Sequence, residues 1–224
     1  MTFYERLVAE VATEREALLA IPIIQDGMRG NLSKETYIGY LSEAYHFVKH
    51  TVPLVETVQA RLAADRFALH DALSDFALEK KGHEKWILHD IKAAGSDADK
   101  VRDSAPSKAT EEFLAYAYET ARQVNPVGFF GMIYVIEGTG AGIASATAGK
   151  LMASLDLPPK CFSYLLSHGS MELDDMDFFE VLMAQITDAA EQDAIIQMAK
   201  RMYCLYGKIF ENIALQTGFS PETD

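Results

Sequence analysis

Apolar residues recur at three- and four-residue intervals along almost the whole chain, and nowhere does apolar–polar alternation persist long enough to make a strand. That pattern confines the chain to helices packed on helices. Tyr4 to Leu19 carries Leu7, Val8, Val11, Leu18 and Leu19 among charged residues, an amphipathic helix stopped near Pro22. Ser33 can cap a segment that runs through Tyr37, Tyr40, Leu41, Tyr45 and Val48 toward Leu62, kinked or broken at Pro53. Phe67 to Ala94 reads as one long helix ended by Gly95, and the polar stretch from Ser96 to Ser107 as a surface loop. Glu111 to Val124 makes the next helix, and Asn125-Pro126 turns into a very apolar one from Val127 to Leu155. After Pro158-Pro159, two last helices span Lys160 to Ile186 and Asp188 to Gln216. The expectation is an all-α fold: a single compact bundle of about seven helices. No internal repeat or composition shift marks a boundary, so residues 1–224 form one domain.

Charge and cysteine usage narrow the function. A formal net charge of -13 argues against nucleic acid as a partner, because phosphate binding needs clustered Lys and Arg. Cys161 and Cys204 are too few for a disulfide framework, which favours a reducing compartment. The N-terminus turns acidic at Glu5 without a basic segment and an apolar core, and no run of roughly 18 apolar residues is present to span a membrane. The cytoplasm, with no membrane contact, is the expected location.

Carboxylates and imidazoles at helical spacing are the chemistry-bearing feature. Glu79 with His83, then Glu137, then His168 with Glu172 and Asp175, could each occupy one helix face, and the six could converge inside one bundle. Hard oxygen donors mixed with imidazole suit non-heme iron or manganese. Glu137 is the most telling of them. It ends the run Phe129-Phe130-Gly131-Met132-Ile133-Tyr134-Val135-Ile136, where a carboxylate is costly unless it is paired to Lys or Arg, turned to water, or bound to a cation. Glu79 and His83 by themselves are compatible with an ordinary solvated face, and the acidic residues after His168 with an exposed turn.

Other residues invite chemistry less strongly. His46 and His50 form another i, i+4 pair, which beside Tyr40 and Tyr45 reads better as a pocket wall, with Glu43 as a further candidate ligand on that helix. His70 and His89 look like surface residues. Gly138-Thr139-Gly140-Ala141-Gly142 lacks the strand and the spacing of a dinucleotide loop, and its small residues continue at helical register through Ala148. Cys204 lies among Met202, Tyr203, Leu205 and Tyr206, as a buried structural thiol would.

Four segments together carry a resemblance: Gly39-Tyr40-Leu41 through His50-Thr51-Val52-Pro53-Leu54, Gly82-His83-Glu84-Lys85-Trp86-Ile87-Leu88, Asn125-Pro126-Val127-Gly128-Phe129-Phe130-Gly131, and Ser163-Tyr164-Leu165 through His168-Gly169. The chain resembles the iron-containing redox enzymes of the heme-oxygenase-like fold, related to the TenA (thiaminase II) and PqqC proteins, over nearly its whole length. In the dimetal oxidases of that fold the ligands are a Glu and a His on one helix, a Glu on a later one, and a His-x3-Asp-x2-His set on the next. The resemblance places these at Glu79, His83, Glu137 and His168, with Glu172 in place of the Asp and Asp175 in place of the last His.

What the resemblance implies is a dimetal oxidase or oxygenase. Two iron ions, or manganese, would be held by the six residues and would activate dioxygen against a small organic substrate, in a pocket walled by Tyr40, Tyr45, His46, Phe130 and Tyr134. A TenA-like hydrolase acting on an aminopyrimidine through a cysteine nucleophile is the alternative. A noncatalytic small-molecule-binding relative, favoured by the altered last ligand set, is a third. A homodimer is compatible with an exposed apolar helix face.

Overall fold

The computed structural model describes the backbone of residues 1–168 and 172–221, and their side chains except at positions 141, 145, 168 and 172–177. Every regular element among the described residues is helical. In chain order they are α1 (Phe3–Glu10), α2 (Ala12–Leu19), α3 (Pro22–Arg29), α4 (Lys34–Val48), α5 (Thr51–Gln59), α6 (Phe67–Lys80), α7 (His83–Ala93), α8 (Ala98–Asp103), α9 (Lys108–Glu119), α10 (Phe129–Ile133), α11 (Ala141–Ser154), α12 (Ser163–His168), α13 (Glu172–Met183) and α14 (Ala189–Thr217). The all-α expectation holds, but the bundle of about seven helices is cut into shorter pieces.

Each cut has a local cause. α2 ends at Leu19, as expected near Pro22, and Pro22 has a second role. It opens α3 at the first position, where its missing N–H costs nothing, and Gly30 at φ 89° ends that helix. The break between α4 and α5 falls at Lys49 and His50, and Pro53 sits in the first turn of α5. The expected surface loop from Ser96 to Ser107 holds α8, which begins where the Asp97 carboxylate accepts the Lys100 N–H. Ser33, Ser107 and Asp188 start α4, α9 and α14 in the same way, each accepting a backbone N–H three residues on.

The last helix organises the rest. α14 is 29 residues long and buries Ile195, Ile196, Met198, Ala199, Met202, Tyr203, Leu205, Tyr206, Ile209, Phe210 and Ile213, which occupy more than one face of a helix. α2, α4, α9 and α10 pack around it. The tightest approach is at α10: a Cβ built on Gly131 would lie 2.2 Å from the Ile195 carbonyl oxygen and 2.8 Å from the Ala199 nitrogen. Backbone meets backbone there, so only glycine fits. The helical run Pro126–Ser154 is apolar and long enough by composition to cross a membrane, yet 59% of its apolar window is buried inside the fold.

Gly131→Ala is therefore expected to lower stability by about 3 kcal/mol, since two backbone segments would have to separate. Gly149→Ala, with nothing within 4 Å of its Cβ position, is expected to be neutral or to stabilise by up to about 1 kcal/mol through helix propensity. Urea denaturation of the two variants checks this, and similar midpoints would show that the α10–α14 contact can relax.

Candidate functional site

The run from Pro126 to Ser154 is not a uniform helix. Pro126–Gly128 is a 3-10 turn, α10 follows, and Tyr134–Gly140 is a π-helical segment before α11 resumes. π-Turns are rare and each admits one extra residue per turn, which re-aims the side chains in it. Glu137 lies inside this segment.

Its carboxylate meets the C-terminal end of α6. Lys80 Nζ donates to Glu137 Oε2 at 2.7 Å and to Glu79 Oε1 at 2.7 Å. Lys80 is buried at 7% exposure, and Glu79 and Glu137 are 30% and 21% exposed. Burial alone would lower the lysine's pKa, but the Glu137 charge and hydrogen bond, with Glu79 behind them, outweigh it and raise the pKa. The ammonium stays charged, and two carboxylates with one ammonium leave this cluster one negative charge in excess.

The ion pair divides two cavities. On one side lies a cavity of about 150 Å³ walled by Phe76, Phe130, Ile133, Tyr134, Phe178, Phe179 and Leu182, with Glu79, Lys80, Glu137 and Asp75 as its charged members. On the other lies a space of about 30 Å³ shared by Lys80, Glu137, Phe47, Phe129, Tyr164 and His83. Glu79 lines only the first and His83 only the second.

Glu79 and His83 thus do not share the face that i, i+4 spacing implies. Lys81 is extended and Gly82 is left-handed at φ 93°, so Glu79 ends α6 while His83 begins α7 with its ring stacked on Trp86 at 4.3 Å. The structure brings Glu79 and Glu137 to one ammonium, and His83 lines the small space that Lys80 and Glu137 also line. His168, Glu172 and Asp175 have side chains outside the described residues. Among the described residues, no group of three or more His, Cys, Asp and Glu is arranged to hold a metal ion.

Of the expected pocket wall, Phe130 and Tyr134 line the 150 Å³ cavity. Tyr40, Tyr45 and His46 do not, because α4 packs on α7, α9 and α14. Tyr40 faces a separate, largely apolar cavity of about 50 Å³ beside α3 and α11. It hydrogen bonds with Tyr164 and Tyr206, and burial pushes its phenol up to about 12. Tyr45 is buried under the Lys49 ammonium, and His46 bonds to Ser104 Oγ at 3.0 Å in an open depression. His50 bonds to the Tyr118 hydroxyl.

Glu43 is a helix anchor. It accepts the Ser107 N–H and hydroxyl and the Thr110 hydroxyl at the start of α9. Asp90, fully buried, accepts the Tyr164 N–H at 2.8 Å and so holds the start of α12. Cys204 is exposed, contrary to the buried thiol expected from its apolar neighbours, because α14 turns this position outward. Cys161 is buried, and burial pushes its thiol up. Neither lines either cavity beside Glu137.

With this geometry in place, the relatives can be named. The model of the iron-containing redox enzyme family matches residues 38–207. The chain belongs to that family. Solved structures show the same fold: a domain of unknown function with a heme oxygenase-like fold from Shewanella denitrificans is 24% identical over 99% of this chain and 98% of the other, with a TM-score of 0.83. A TenA homologue from Pseudomonas syringae is 12% identical over 95% and 93%, with a TM-score of 0.82. Heme oxygenase-1 from the cyanobacterium Synechocystis, in complex with heme, is 12% identical over 97% and 94%, with a TM-score of 0.76. A comparison with curated proteins found no match.

For a family that is iron-containing, the described donors fit a hard cation in their chemistry: two carboxylates from separate elements converge on one interior point, and that point holds a positive charge. The Lys or Arg partner expected as one alternative for Glu137 is Lys80, a residue that the spacing of carboxylates and imidazoles did not single out. Its signal was present, since Leu69, Leu73, Phe76 and Lys80 follow one another at helical intervals and put the lysine on the buried stripe of α6.

Glu43→Ala is expected to cost about 3 kcal/mol by urea denaturation, through the loss of charge-assisted hydrogen bonds to α9, with bound metal unchanged. Loss of metal in that variant would make Glu43 a ligand after all.

Proposed function

We propose that the chain is a non-heme iron oxidase or oxygenase that uses dioxygen on a small, largely apolar organic substrate. The observation that carries this reading is the convergence of Glu79 and Glu137 at the edge of an aromatic-walled cavity, within a chain of the iron-containing redox family. Glu79 and Glu137 would hold iron, or manganese, with His83 and the motif residues His168, Glu172 and Asp175 supplying the further donors of a two-ion centre. Iron held there would supply the activation of dioxygen.

The chain's own residues do the remaining work. Phe76, Phe130, Phe179 and Leu182 bind the substrate's apolar body and exclude water from the carboxylates. Burial raises the pKa of Tyr134, whose hydroxyl is hydrogen-bonded with Tyr203, so this side chain contributes its ring to the cavity wall. Asp75 lines the same cavity and favours a substrate without an anionic group near α6. A cysteine-dependent hydrolase is disfavoured by the positions of Cys161 and Cys204.

Anaerobic reconstitution with ferrous iron tests the reading. Close to two ions per chain are expected for a full centre, with absorbance changes on admitting oxygen. Glu137→Gln should abolish iron binding, whereas His89→Ala, at a position 60% exposed and outside both cavities, should retain it. Equal iron content in the two variants, or none in the unmodified chain, would remove the proposal.

A further inference from the structure

Lys80 occupies the point that a cation held by Glu79 and Glu137 would take. Its Nζ is 2.7 Å from one oxygen of each carboxylate, and first-row metal ions sit about 2.0–2.2 Å from carboxylate oxygens. An ammonium and a metal cannot share that position, by volume or by charge. In the metal-free protein, however, the lysine is what permits the two carboxylates to face one another. Removed, it would leave two like charges in a partly desolvated place, and one would have to take up a proton or turn away.

The surroundings give the lysine somewhere to go. Its Nζ lies 5.3 Å from the Phe76 ring centre, over which a cation is attracted. The 150 Å³ cavity opens beside it, with the Asp75 carboxylate on its wall. Lys80 is the last residue of α6, before Lys81 leaves helical geometry, and its ammonium rides on a flexible four-carbon stem.

We propose that Lys80 is a displaceable counter-ion: it holds Glu79 and Glu137 together while the site is empty of metal, competes with the metal for their shared point, and swings past Phe76 toward Asp75 when metal binds. This rests on the metal-binding reading of Glu79 and Glu137. It makes metal affinity an exchange of one cation for another and sets it lower than the two carboxylates alone would give.

Manganous ion, followed by calorimetry and by its electron paramagnetic signal, is the probe. Lys80→Met is expected to bind it at least tenfold more tightly than the unmodified chain, to melt at a lower temperature without metal, and to recover on adding manganese. Lys80→Arg, which keeps a cation on the stem, should bind no more tightly than the unmodified chain. In the unmodified chain, reductive methylation of Lys80, read by peptide mass spectrometry, should rise several-fold with manganese. Where Lys80→Met does not fold, Lys80→Gln and the methylation measurement decide. Manganese binding equal in the unmodified chain and Lys80→Met, or methylation that does not rise, overturns the counter-ion role and leaves the metal site standing. No binding by either chain overturns both.

Discussion

The fold depends on how closely α10 approaches α14. α14 is buried over much of its circumference, so its neighbours must reach it without side chains of their own in the way, and Gly131 lets α10 do so at backbone distance. That contact fixes the start of the Phe129–Ser154 run. The π-turn three residues later then determines which way Glu137 leaves the helix, and it points at the end of α6 rather than into α14. The site is thus positioned by a steric constraint on one side of the helix and an inserted residue on the other.

Asp26, Glu43, Asp90 and Glu137 lie in the interior or at its edge and are compensated differently, Asp26 by the half-exposed Arg29 guanidinium of its own helix. Asp90 is met by a backbone N–H at the start of α12, and Glu43 by a backbone N–H and two hydroxyls at the start of α9. These partners belong to helix starts, and the exposed His89 ring adds a contact to Asp90 at 3.4 Å. Glu137 is met by a single side chain on a flexible stem, beside a cavity. Where a buried charge is neutralised by something that can move, the compensation is exchangeable, and exchangeable compensation suits a place meant to take another cation.

What was legible in the sequence divides along the range of the interaction responsible. Helical class, the capped start at Ser33, the start of the last helix near Asp188, and the cost of a carboxylate at Glu137 are set by residues within a turn or two, and all of them appear in the structure. The i, i+4 spacing of Glu79 and His83 assumes one helix across Gly82, where a glycine at φ 93° ends one helix and starts another. Tyr40, Tyr45 and His46 were assigned to the pocket from their own helix alone. The faces they present are decided by α7, α9 and α14, which are distant in sequence. The π-turn carries no local signal in composition, and the burial of Lys80 shows in the sequence only through its place on the apolar stripe of α6.

The fold itself does not separate this chain from its structural relatives. A TenA homologue and a heme oxygenase superpose on it with TM-scores of 0.82 and 0.76 at 12% identity, so the backbone is common to proteins with unlike names. The difference must come from side chains placed on that backbone. Here the cavity wall offers no thiol and instead carries a pair of carboxylates bridged by an ammonium, with Asp75 as a third carboxylate. A site with that balance attracts cations and resists anions close to α6.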